Sequence, residues 1–175
     1  MNDFAEWADE TRMLAAEFQA GFESRYGYPP GDHVISGPTD PAIIKEAASR
    51  TDAIPAMLLD FYRMCGEVSL PDVGVGYFVV PLRRVLDGLD GDDPVRMRGS
   101  WDVPIVVFGS DGGGTLFALH AGSGEPAYAF PPGPVHAQVY ADSLTPASVI
   151  ADDLPGFLAI VRRALDRSGS NGSTW

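Results

Sequence analysis

The sequence predicts an α+β fold: an antiparallel-rich sheet with helices packed on one face. Two observations carry this. Apolar runs at Val103 to Phe108, Leu116 to Leu119 and Ala127 to Phe130 are separated by two glycine-rich breaks, the pattern of consecutive strands joined by tight turns. Apolar residues at helical spacing lie before and after this meander but not within it. Helices and strands are therefore segregated along the chain, which favours α+β over an alternating parallel architecture.

Taken in order, Asp3 is placed to cap a helix on which Phe4, Trp7, Leu14, Phe18 and Phe22 recur at roughly helical spacing. That helix is expected to end near Gly27. Residues Tyr26 to Pro38 contain three prolines and three glycines, which cannot continue a helix and read as an irregular connection. The chain thus divides into a helix and connection over 1–38, a main domain over 39–167 and a small, polar tail over 168–175 that is expected to fray.

A second helix is announced by Thr39-Asp40-Pro41, since Asp40 can accept from first-turn amides and Pro41 sits where a missing N–H costs nothing. Pro55 opens a third, with Met57, Leu58, Phe61, Tyr62 and Cys65 on one stripe until Gly66 stops it. Val73 to Pro81 reads as a strand and Leu82 to Leu86 as a short helical turn. Asp87, Asp90, Asp92 and Asp93 follow in what reads as a loop with a local negative field.

The first break in the meander, Ser110-Asp111-Gly112-Gly113-Gly114, offers three successive positions where positive φ carries no Cβ penalty. Gly112, Gly113 and Gly114 are assigned a structural turn. A short strand is expected within Val135 to Tyr140. A last helix begins at Asp152 or Asp153 and carries Leu154, Phe157, Leu158, Val161 and Leu165 inward.

At 175 residues the chain suits one core. Its single cysteine, Cys65, excludes an internal disulfide framework and favours a reducing compartment, with the cytoplasm as default. The acidic N-terminal stretch does not resemble a signal peptide, and no apolar run approaches the ~20 residues of a membrane span. Twelve basic against 24 acidic residues give a formal charge of −12, which repels nucleic-acid backbones and anionic lipid and favours basic partners.

Catalytic chemistries find little purchase. The glycine run lacks the lysine and spacing of a phosphate-binding loop. Ser110 lacks the glycine context of a nucleophile elbow, with Phe108 where the first glycine should stand. His33, His120 and His136 have no metal-ligand spacing, and Cys65 on an apolar stripe reads as packing. The aspartates Asp87, Asp90, Asp92 and Asp93 lack the calcium-loop pattern; they form either a solvated loop or a contact surface for a basic partner. No catalytic residue, metal or cofactor is expected.

Three segments resemble the SUKH superfamily, to which the yeast cell-wall synthesis regulator and many bacterial immunity proteins belong. The first is Pro41-Ala-Ile-Ile-Lys-Glu-Ala-Ala together with Ile54-Pro55-Ala-Met-Leu-Leu-Asp-Phe61-Tyr62, similar to the opening helix, Leu-Pro hinge and aromatic second helix of that family. The second, from Trp101 through Pro104 and Asp111-Gly112-Gly113-Gly114 to Leu119, resembles its Ile-Pro, Asp-Gly-Gly-Gly, aromatic strand pair. The third is Leu154-Pro-Gly-Phe157-Leu158, similar to its closing helix.

The resemblance implies a SUKH-like fold and a non-enzymatic protein-binding domain, in bacteria commonly an immunity protein that occludes a cognate toxin, often a nuclease. An intracellular scaffold or regulatory module of the same superfamily is the alternative. The expected contact surface is the exposed sheet face with its edge loops, with Asp87, Asp90, Asp92, Asp93 and Asp111 as electrostatic candidates. Tyr77, Phe78 and Trp101 are the aromatic candidates; the competing assignment places these rings in the core and leaves Asp111 to shape its turn.

Overall fold

The computed structural model describes residues 3–142 and 145–170. Helix α1 (Asp3–Tyr26) buries Trp7, Ala8, Thr11, Ala15, Phe18 and Phe22 at three- and four-residue spacing, one stripe of an α-helix. The one polar member is satisfied, because the Thr11 hydroxyl donates to Trp7 O at 2.6 Å. Gly27, at φ 79°, ends the helix as its N–H donates to Glu23 O.

The connection that follows is less irregular than expected. Val34–Ile35 forms β1, which pairs antiparallel with β2 (Val68–Leu70). Two-residue strands carry too little periodicity to be read in advance. Helix α2 (Pro41–Ala48) is capped as predicted, with Ala42 N donating to the Asp40 carboxylate at 2.7 Å. Helix α3 (Ala56–Tyr62) follows Pro55.

The strand expected over Val73 to Pro81 is confined to β3 (Tyr77–Val79). Residues before it make a turn in which Gly74 and Gly76 take φ of 61° and 87°, so β2 and β3 form a hairpin. The segment read as an acidic loop is also more ordered. Helix α4 (Leu82–Asp87) runs into a wide helical turn over Gly88–Asp92, broken at Gly91 (φ 149°). Strand β4 (Arg96–Arg98), built around the fully buried Met97, follows.

The meander is present as β5 (Asp102–Asp111), β6 (Leu116–His120) and β7 (Ala127–Phe130), paired antiparallel in order. Beyond it, β8 (Val135–His136) and β9 (Val139–Ala141) make a hairpin where one strand was expected, turning at Ala137 and Gln138 with φ of 49° and 58°. Strand β10 (Ser148–Ala151) adds to β7.

Helix α5 (Leu154–Ser170) begins after Asp153, whose carboxylate accepts from Gly156 N at 2.7 Å. It continues through the first residues of the expected tail, because Arg25 donates to the carbonyls of Ser168 and Gly169 at 2.5 and 2.8 Å. The rest of that tail, 171–175, lies outside the described residues.

Alternate residues of β5 face two different clusters. Val106 and Phe108 join the main core, to which all five helices contribute, among them Trp7, Ile44, Leu58, Leu82 and Phe157. Ile105 and Val107 face a second cluster with Met97, Tyr128, Phe130, Tyr140 and Ala147. The helices therefore lie on one face, as predicted. The other face is partly covered by β4, which pairs with β5, and by β9, which pairs parallel with β4. This two-sided burial explains why Ile105 to Phe108 is continuously apolar instead of alternating. The N-terminal helix is bound into the same core, and the Trp7 indole donates to Leu158 O across 151 residues of chain.

Candidate protein-binding surface

Strand register decides which predicted contact residues can meet a partner. Val34, Ser69, Phe78, Ser110 and Leu116 stand opposite one another across β1, β2, β3, β5 and β6. Their sequence neighbours Val68, Leu70, Val79 and Phe117 point into the main core, so this row lies on the outer face. Phe78 is half-buried at its centre, and Val34 is exposed.

The other two aromatics are placed differently. Tyr77, on the inner side of β3, packs against the main core and stacks on Phe117 with ring centroids 6.2 Å apart. Trp101 leans on the second cluster, 5.6 Å from the Tyr128 ring. Of the three candidates, Phe78 is the one on the outer row.

The first meander turn borders this face. Gly112 N donates to Val75 O at 2.9 Å, joining the β5–β6 turn to the β2–β3 turn. Asp111 spends one carboxylate oxygen on the amides of Gly113 and Thr115, both at 2.8 Å, which makes it a shaping residue of its own turn. The three glycines have distinct roles. Gly114 takes φ 87°, and a Cβ on Gly112 would lie 2.4 Å from Val75 O, while one on Gly113 would meet nothing closer than 3.4 Å.

The four aspartates from Asp87 at the end of α4 to Asp93 divide equally. Arg50 grips Asp90 with two hydrogen bonds of 2.7 and 3.0 Å, and Arg84 grips Asp93 at 2.9 and 3.0 Å. The Arg50 hydrogen bond holds the Asp90 carboxyl below the usual carboxylate range. Arg83 clasps Glu46 in the same way, so α2, α4 and the turn share one band of ion pairs. Asp87 and Asp92 are exposed and enter no ion pair among the described residues. These two carry the available charge of the turn.

A residue that sequence reasoning passed over holds this turn in place. The Gln138 side-chain amide donates toward the carbonyls of Gly88, Leu89 and Asp93 at 3.2, 3.1 and 3.1 Å. Its backbone carbonyl accepts from Val95 N at 2.8 Å. Nothing in a proline-rich connection marks one glutamine for this role. Gln138→Ala strands part-buried carbonyls and should cost about 1–2 kcal/mol; hydrogen exchange of the amides in Gly88–Asp93 should accelerate by roughly tenfold while α5 amides are unchanged.

The chain's charge is distributed unevenly between surface ion pairs within the chain and unpaired groups. Arg12, Arg50, Arg63, Arg83, Arg84, Arg96, Arg98 and Arg162 each face a carboxylate of this chain within 4 Å, and Arg25 is committed to α5 carbonyls. Carboxylates outnumber these cations, and Glu6, Glu17, Glu23, Asp52, Asp87, Asp92 and Asp152 remain exposed without an ion pair among the described residues. The negative charge is thus presented to solvent while most of the positive charge is neutralised at home.

The titratable groups weighed as nucleophiles are separate from this surface. Burial pushes the Cys65 thiol up to about 11, leaving it protonated near neutral pH. His33 is buried against Phe18 and bonds Asp72 at 2.9 Å, and His120 bonds Ser123 at 2.9 Å. The structure brings neither histidine into a hydrogen bond with Ser110 or Cys65. No protein-family model matches the chain, and a search of curated proteins finds no match.

Proposed function

We propose that this chain is a non-enzymatic protein-binding domain of the SUKH type, acting in the cytoplasm as an immunity protein that binds and occludes a basic bacterial toxin. A nuclease is the toxin class its charge favours, because an acidic surface competes directly with nucleic-acid phosphate for a basic cleft. The observation that carries the reading is the internal consumption of arginine, which leaves unpaired carboxylates such as Asp87 and Asp92 facing solvent. Phe78, half-buried on an open sheet face, supplies an aromatic contact of the kind that anchors interfaces.

The test is a low-salt pull-down with the full chain as bait, followed by activity assays on any basic toxin domain recovered. Stoichiometric loss of toxin activity is the expected result. Asp87→Lys with Asp92→Lys should then slow association about tenfold at low ionic strength, with the difference shrinking at high salt. Asp90 is the wrong position for this experiment, since its carboxylate is already neutralised by Arg50 and a lysine there would face that arginine. Recovery of endogenous cytosolic proteins alone, with no toxin inhibited, would replace the immunity reading with the scaffold one.

A further inference from the structure

Helices α1 and α5 run side by side in the same direction: Trp7 bonds Leu158 near their starts, and Arg25 bonds Ser168 and Gly169 near their ends. Three clefts follow one another along the solvent side of this seam. The central cleft has a volume of about 420 Å³ and contains Met13, 62% exposed, beside the half-buried Leu14. A methionine left this open on a helix whose other stripe is fully packed serves no purpose in the core.

The α1 wall of the furrow has a definite chemistry. Glu6, Glu10, Met13 and Glu17 follow one another at intervals of four, three and four, so they form one stripe beside the buried one. The α5 wall brings Arg162 and Arg163; Arg162 clasps Glu10 across the furrow, and along the three clefts acidic residues outnumber basic ones by five to three. Glu6 and Glu17 enter no ion pair among the described residues, and they stand roughly 16 Å apart along the axis at 1.5 Å per residue. The wall therefore offers an apolar contact flanked by two available carboxylates, three helical turns apart.

We propose that this furrow is the docking site for a basic amphipathic helix of a partner protein. A groove between two aligned helices accepts a third helix through side chains at successive turns. Its apolar residues meet Met13 and Leu14, and lysines or arginines a few turns apart meet Glu6 and Glu17. A second copy of this chain is the wrong occupant, because it would bring a net charge of −12 to a furrow that is itself acidic on balance. Lying across the main core from the outer row of Phe78, the furrow is independent of the toxin-binding reading and stands whether or not that reading holds.

The probe is a synthetic peptide of roughly 18 residues, long enough for five helical turns, with leucines on one face and lysines on the other. Two controls accompany it, a scrambled peptide of the same composition and a leucine–glutamate peptide. Binding to the intact chain is read by amide chemical shifts and by anisotropy. The leucine–lysine peptide should bind at least about tenfold more tightly than either control, with shifts concentrated in Glu6–Glu17 and along the facing side of α5. Met13→Lys should weaken it by about tenfold or more without changing the melting temperature, whereas Val75→Lys, at an exposed site elsewhere, should not affect it.

Equal binding of the scrambled peptide, shifts confined to the outer sheet face, or indifference to Met13→Lys would each overturn the proposal. So would a self-association by sedimentation that Met13→Lys abolishes.

Discussion

Phe157→Ala should lower the stability of the fold by about 3–5 kcal/mol, a large part of the whole for a domain of this size. The side chain is 1% exposed. Its ring meets Phe108 of β5 edge-on at 5.1 Å and Phe117 of β6 at 4.9 Å. Removing it deletes the apolar transfer term, two aromatic contacts and the wedge between α5 and the two longest-paired strands. Closing such a void would require α5 to shift toward β5 and β6. Chemical denaturation should show a reduced midpoint with an unchanged slope. A loss under about 1 kcal/mol would mean that α5 is not seated on the sheet as described.

Gly109→Ala should be nearly as damaging, at about 3 kcal/mol, for the opposite reason. A Cβ at Gly109 would stand 2.3 Å from Phe78 O on the adjacent strand. The obstacle is backbone, held in register by Val79 opposite Gly109 and by Val80 N bonded to Phe108 O at 3.0 Å, so it cannot swing aside as a side chain would. Gly113→Ala is the matched control, expected within about 0.5 kcal/mol of the parent, since its Cβ would meet nothing closer than 3.4 Å. Thermal melts of the pair decide the matter: similar effects at both positions would contradict the strand packing.

The same contrast shows what the glycine run reveals from sequence. Gly112, Gly113 and Gly114 read alike there, as three permissive positions in a turn. In the fold Gly112 is needed because Val75 O approaches it, Gly114 because φ is 87°, and Gly113 for neither reason. A close approach depends on which segment lies alongside, and Val75 stands 37 residues earlier in the chain.

The candidate surface follows a similar rule. The four aspartates from Asp87 to Asp93 were legible as an acidic patch, but their division was not. Arg50 and Arg84 neutralise Asp90 and Asp93, and Arg50 reaches its partner from beyond α2. Tyr77 and Phe78 are adjacent in sequence and both aromatic, so composition treats them as equals. The pleat sends one toward Phe117 and the other to the outer row, and which face is buried depends on where the helices pack. Gln138 was illegible because its hydrogen-bonding partners are backbone carbonyls, which leave no mark on sequence.

By itself the sequence determined the class of fold, the meander, the capped start of α2, the apolar faces of the helices and a charge that favours basic partners. Each of these rests on interactions spanning a few residues, or on a sum over the whole chain. Tertiary structure alone decided the short strands β1, β2, β4 and β10, the covering of part of the second sheet face, the pairing of Asp90 and Asp93 and the furrow between α1 and α5. Those features exist only where segments distant in sequence meet. A strand of two to four residues is too weak to form without a neighbour, and a carboxylate is free or neutralised according to which arginine the fold delivers to it.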